Sequence, residues 1–223
     1  AQWKNPTAFY HFGDTLFAVD QGNNRIRTLV PDGQIGPANK VDIAPGNETK
    51  IFSIKFTGNG KTGINGIRFT ARDLKTATGF KESDVSTFFL YENGDNTLTN
   101  ATRIGVIDSD EFSVGKEAFI SVYPARIPQA DQTHYYILSV VLSENAIENH
   151  GMAVEIPLGA LSTNLGGYGT AIDADDSKSI NVDITSTKLI FERQPKGSLS
   201  GNFLSQQPTL FAIDENGRID SDF

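Results

Sequence analysis

The sequence predicts an all-β protein: an antiparallel β-sandwich with strand extensions at both ends. Three observations carry that prediction. Apolar residues recur with period two in stretch after stretch, the spacing that turns one face of a strand toward a core. Asn-Gly pairs at 59, 65, 93 and 216 supply the positive φ that tight turns between strands require. Helix signals are scarce, and none is long enough to set the fold class.

The elements follow in order. Residues 1–39 read as a β-hairpin leader. Residues 51–57 place Phe52, Ile54 and Phe56 on one face, and residues 64–71 do the same with Ile67 and Phe69. A turn over Gly58-Asn-Gly60 joins them as a hairpin. Residues 88–91 form a short apolar strand ended by Asn93-Gly94, and 117–123 alternate again. Residues 135–142 are the most apolar run and are assigned as a central strand. Residues 152–156 and 179–184 complete the middle. Residues 73–83, with Leu74, Ala77 and Phe80, suit one short helix or a crossover loop. The chain thus divides into the leader, a sandwich domain over 40–185, and a strand pair over 186–223, with a junction just after Ile184.

Composition excludes several functions. Hydrophobic residues make up 38% and phenylalanine alone counts 15, enough to bury a core. A net charge of −8 disfavours nucleic acid and anionic membranes and leaves divalent cations as ligands. There is no cysteine, so disulfides, thiolate nucleophiles and Cys-zinc sites are out. No run approaches the roughly 18–20 apolar residues of a membrane helix, and membrane insertion is not expected. The first residue is Ala1 rather than Met, which suggests a processed or excised N-terminus.

Residues 187–223 give a strand, a Pro/Gly/Ser turn, a second strand, and an Asp214-Glu-Asn-Gly217 turn. Thr187-Lys-Leu-Ile-Phe191 with Gln194-Pro195, then Gln207-Pro208 through Gly217, resembles the start of the immunoglobulin-like repeats of large bacterial surface proteins and adhesins. Such a sandwich needs about seven strands. The segment therefore reads as incomplete, either cut from something longer or completed by another chain. In the leader, Thr15 to Arg27 with Gly22-Asn-Asn24 resembles an NHL-type propeller hairpin, extending to residue 35. Phe89-Leu-Tyr91-Glu-Asn-Gly, followed by Arg103-Ile-Gly, is similar to sandwich modules of secreted proteins. The sandwich expected is immunoglobulin-like or jelly-roll-like. These resemblances imply a modular, extracellular or cell-surface protein.

Acidic loops are the strongest chemical feature. Asp214, Asn216, Asp220 and Asp222 offer oxygens at short spacing, as calcium requires; Asp173, Asp175 and Asp176 form a second cluster, and Asp108, Asp110 and Glu111 a third. The competing reading is that Asp and Asn start turns by bonding their own backbone, and it is favoured for any one cluster. Gly58-Asn-Gly-Lys-Thr-Gly63 satisfies GxGxxG in letters, but strand-like residues follow where a phosphate loop needs a helix. His11, His134 and His150 lie in no catalytic motif, and an enzyme is not expected. Asn47 and Asn100 begin glycosylation sequons, as chance alone supplies. Trp3, Phe9, Tyr10 and Phe12 cluster near the start, suited to packing or to stacking on sugars.

Leu189, Phe191, Leu210, Phe211 and Ile213 are the candidate assembly residues, because apolar strands left unpaired invite association. The function expected is a structural or adhesive module, a filament or surface-layer subunit assembling by strand donation with itself or with neighbouring modules. Its alternative is a carbohydrate-binding accessory module.

Overall fold

A computed structural model describes residues 40–74, 79–175, 178–197 and 200–223, and before them the strand segments 6–12, 15–21, 25–29 and 34–35. The described residues are all-β, with no α-helix among them. In the leader, β1 (Pro6–Phe12), β2 (Thr15–Asp20) and β3 (Arg25–Leu29) form an antiparallel three-stranded sheet. Next come β4 (Gln34–Ile35), β5 (Val41–Ile43), β6 (Glu48–Thr57), β7 (Ile64–Asp73), β8 (Val85–Asn93) and β9 (Thr102–Asp108). They are followed by β10 (Glu117–Arg126), β11 (Thr133–Leu142), β12 (Gly151–Glu155), β13 (Leu161–Thr163), β14 (Gly166–Tyr168) and β15 (Ile180–Val182). The tail holds β16 (Lys188–Arg193), β17 (Thr209–Ile213) and β18 (Ile219–Asp220).

Two sheets enclose the core. One is antiparallel, in the order β4-β6-β11-β8-β9, and β11 is central as its apolar run predicts. The other runs β14-β13-β7-β12-β15-β5, with β10 on the far side of β7. Phe52, Ile54 and Phe56 of β6 and Tyr136, Leu138 and Val140 of β11 face inward, in one cluster with Ile67 and Phe69 of β7 and Ile120 of β10. Aromatic rings bridge the two sheets: Phe69 meets Phe88 at 4.8 Å between centroids, and Phe56 meets Tyr168 edge-on at 5.1 Å. Each such side chain contributes about 1.5–3 kcal/mol by leaving water. At the seam, β9 and β10 run so close that a Cβ on Gly105 would lie 2.6 Å from Ile120 Cγ2. The second sheet is curled like half a barrel.

Two expectations need correction. The second sheet is mixed rather than antiparallel, because β15 pairs with β5 in parallel. Parallel neighbours need a long crossover, and here the whole core is that crossover. The Gly58–Gly63 turn is not a hairpin, since β6 and β7 lie in different sheets; it is a corner between layers. Of the two readings open for residues 73–83, the described residues 79–84 take the loop, with a 3-10 turn at Glu82–Asp84; residues 75–78 lie outside the described ones.

Asp84 in that turn is fully buried and ties two loops together. Its carboxylate accepts the Lys81 amide at 2.8 Å and the Ile147 amide at 3.1 Å, and lies 2.7 Å from His150 Nδ1. A buried carboxylate is tolerated only when satisfied in this way. The loop it holds, residues 143–150, is the one on which the tail docks.

Candidate functional site

β16 pairs with β17, and Leu189 stands opposite Ala212, Phe191 opposite Leu210, and Ile190 opposite Phe211. Cross-strand partners share a face. The five candidate assembly residues therefore split: Leu189, Phe191 and Leu210 lie on one face, Phe211 and Ile213 on the other. On the first face Leu189, Phe191 and Leu210 are exposed by 54%, 49% and 46%, while Ala212, opposite Leu189, is buried; Ile190, on the second face, is exposed as well. On the second, Phe211 is half-buried and Ile213 buried. Every residue of β16 is exposed, and among the described residues β16 pairs with β17 alone. The connection between the two strands adds Phe203, 94% exposed.

The turn after β17 is built by Asp214. Its Oδ1 accepts the amides of Asn216 and Arg218, both at 2.9 Å, and its Oδ2 accepts Arg218 Nε at 2.7 Å. Burial works against the Asp214 charge, but the hydrogen bonds from Arg218 and Asn216 outweigh it and hold the carboxyl below its ordinary range. Gly217 supplies the positive φ, +84°, that closes the turn. Arg218 then reaches the core, donating from Nη1 to the Glu144 carbonyl at 3.0 Å and to Glu144 Oε2 at 3.1 Å. Asn149 adds a second link, to Ser221 Oγ at 3.1 Å.

Four candidate calcium ligands thus separate into two pairs. Asp214 is consumed by its turn, and Asn216 is an exposed residue of that turn. Asp220 and Asp222 meet Glu148 of the docking loop, with carboxylate oxygens from all three within 4.8 Å of one another. Glu148 Oε2 accepts the Ile184 amide at 3.0 Å, and Asp220 Oδ2 accepts the Ser186 amide at 2.9 Å. The other oxygens, Glu148 Oε1 and Asp220 Oδ1, are buried without a hydrogen-bond partner among the described residues.

Charge is unevenly held there. Burial, then the neighbouring Asp222, Asp183 and Asp220, push Glu148 up to about 7, against the Ile184 amide. Hydrogen bonds from Ser186 hold Asp220 low, and its bond with Asp220 pushes Asp222 up. Three carboxylates in contact therefore relieve their repulsion by retaining protons, or by taking a cation. Glu148 is the member that sequence spacing misses, since only the docking of the tail brings it to Asp220 and Asp222.

The remaining candidates are structural or dispersed. Asp175 pairs with Lys178 at 4.0 Å, Asp173 is exposed, and Asp176 lies outside the described residues. Asp108 and Glu111 hold a turn, Glu111 Oε2 accepting the Asp108 amide at 3.0 Å. Asp110 is exposed. His134 lies 2.9 Å from Glu92 and His150 beside Asp84, so the two are in separate pairs. His11 falls in β1, and its side chain lies outside the described residues, as do Trp3 and the side chains of Phe9, Tyr10 and Phe12. No helix among the described residues is long and apolar enough to cross a membrane. Neither a protein-family profile nor a curated protein sequence matches the chain.

Proposed function

We propose that this chain is an extracellular structural or adhesive module, with an immunoglobulin-like or jelly-roll-like core, that assembles through its tail sheet. One observation carries the reading: β16 sets a backbone edge, without a partner strand among the described residues, beside the exposed Leu189, Phe191 and Leu210. An exposed apolar edge strand is a template for pairing with another chain. Adding it to a sheet edge of a second copy, or of a neighbouring module, satisfies its free amides and carbonyls and buries the three side chains at once. The burial alone favours association by roughly 2–4 kcal/mol, given that each side chain is already half covered.

Calcium at Glu148, Asp220 and Asp222 fits the same reading as a brace between tail and core. The support is the pair of buried, unpartnered oxygens, which a hard cation with six to eight oxygen ligands would engage. Such an ion would fix the angle at which the tail leaves the core; catalysis is no part of this reading.

The test uses the full chain. Sedimentation velocity should show concentration-dependent oligomers that disappear in Leu189→Lys/Phe191→Lys while the circular dichroism of the core stays the same. Equal association by both proteins, or monomers throughout the concentration series, would sink the proposal.

A further inference from the structure

At the opposite end of β11 from the docking loop, a cleft of about 430 Å³ opens beside residues 124–134. Its volume lies in the range of small-molecule sites. We propose that this cleft binds a neutral saccharide. The proposal stands independently of assembly through the tail.

The walls are preformed. Gly58 donates its amide to the Gln132 carbonyl at 2.8 Å, Asp131 donates to the Gly58 carbonyl at 2.9 Å, and Gly60 donates to the Pro128 carbonyl at 3.1 Å. The loop bearing the cleft is thereby fastened to the layer corner. That approach is possible only for glycine: a Cβ at position 58 would lie 2.0 Å from the Gln129 carbonyl oxygen. Gly58, the first glycine of the stretch that imitates a phosphate loop in the sequence, serves here to bring two backbones together.

Glu92 and His134 line the cleft, and the core residue Tyr136 backs them without reaching it. Glu92 Oε1 accepts the Tyr136 hydroxyl at 3.3 Å and lies 2.9 Å from His134 Nδ1. Burial, then the Glu92 charge, push the Tyr136 phenol above its ordinary range, so it stays a donor. His134 Nε2 is buried and has no hydrogen-bond partner among the described residues. Around the cleft, Arg126, Gln129 and Gln132 are exposed and supply guanidinium and amide groups.

This set selects a ligand class. Glu92 and Arg126 balance one another in charge, which gives no advantage to an acid or a base. Amides both donate and accept, matching hydroxyls that do the same. Pro124 and Ile127 provide an apolar wall for the C–H face of a sugar ring, and Ile127 is 60% exposed. The residue before Pro124 is Tyr123, 96% exposed and next to the lining rather than part of it.

Saturation-transfer NMR on the full chain, with cellobiose, maltose, lactose and diacetylchitobiose as probes, tests the assignment. At least one should receive saturation, and Arg126→Met/Gln132→Ala should weaken its binding by about tenfold or more. Gly58→Ala should weaken it as well by displacing the wall, whereas Leu189→Lys/Phe191→Lys should leave it unchanged. The proposal is overturned if none of the four is saturated, if saturation survives Arg126→Met/Gln132→Ala, or if glucuronate or glucosamine binds more tightly than the neutral sugars.

Discussion

β11 and β16 carry similar side chains, Tyr-Ile-Leu and Val-Val-Leu in one and Leu-Ile-Phe in the other. β11 lies between β6 and β8, both its edges are hydrogen-bonded, and Tyr136, Ile137 and Leu138 are fully buried. Among the described residues β16 has one neighbour, and none of its own residues is buried. Apolar character makes each a strand; what differs is the material placed over it. The core strand is covered by its own chain, whereas the tail strand has one edge without a partner strand among the described residues.

The largest effect should separate the two regions directly. Phe88→Ala, in the cluster with Phe69 and Phe112, should destabilise the fold by about 3–5 kcal/mol in urea unfolding. Phe191→Ala should cost less than about 1 kcal/mol under the same conditions while reducing self-association. Similar losses for both would mean that the tail face is covered in the monomer, and the contrast would fail.

Next in size is the clamp within the core, at the base of the loop on which the tail docks. Asp84→Ala leaves the Lys81 and Ile147 amides and His150 without their acceptor, at a cost of about 3 kcal/mol. Faster amide exchange should then concentrate in residues 143–150, the loop that carries the tail.

A smaller effect concerns pH. Glu148 is raised to about 7 in the folded protein, so the folded state binds its proton more tightly than the unfolded chain does. Its contribution is full below the ordinary carboxylate range and is lost as pH rises through about 7. Asp220, held low, behaves oppositely: its contribution is present above the ordinary range and is lost on acidification. Proteolysis of the tail should therefore quicken between pH 5 and 8 as Glu148 ionises. Glu148→Gln should flatten that rise, and calcium should suppress it in the parent chain. Indifference to both would remove the acidic junction from the account.

The smallest change is expected at Lys178→Ala, which removes an exposed ion pair to Asp175 at 4.0 Å and should alter stability by less than about 0.5 kcal/mol.

Period-two patterning makes β6, β7 and β10 legible, and β11 is legible as the most apolar run, buried without a break from Tyr136 to Val140. The turn at Asp214 was legible because Asp and Asn-Gly act within a few residues. Longer-range choices were not. The parallel partnership of β5 and β15 joins segments separated by the entire core, and nothing local marks the direction of a neighbour. β13 and β14, short and containing Gly166-Gly167, lack the side chains that would give a periodic signal. Glu148 belongs to the acidic site only because the tail packs against its loop. Asp84 and His150 illustrate the same limit, as each looks unremarkable until the other is placed beside it.

The pairing of β5 with β15 has a mechanical consequence. The chain enters the core at Val41 and leaves it after Val182, and these strands run side by side in the same direction. Tension between leader and tail, once the two-residue β4 yields, pulls β5 backward and β15 forward along their common axis. The bonds between them, including Val41 N–H to Ser179 at 2.9 Å and Asp183 N–H to Ile43 at 3.0 Å, then bear load together rather than one at a time. A subunit strung in a fibre would be loaded in shear, the direction in which a short ladder is hardest to open.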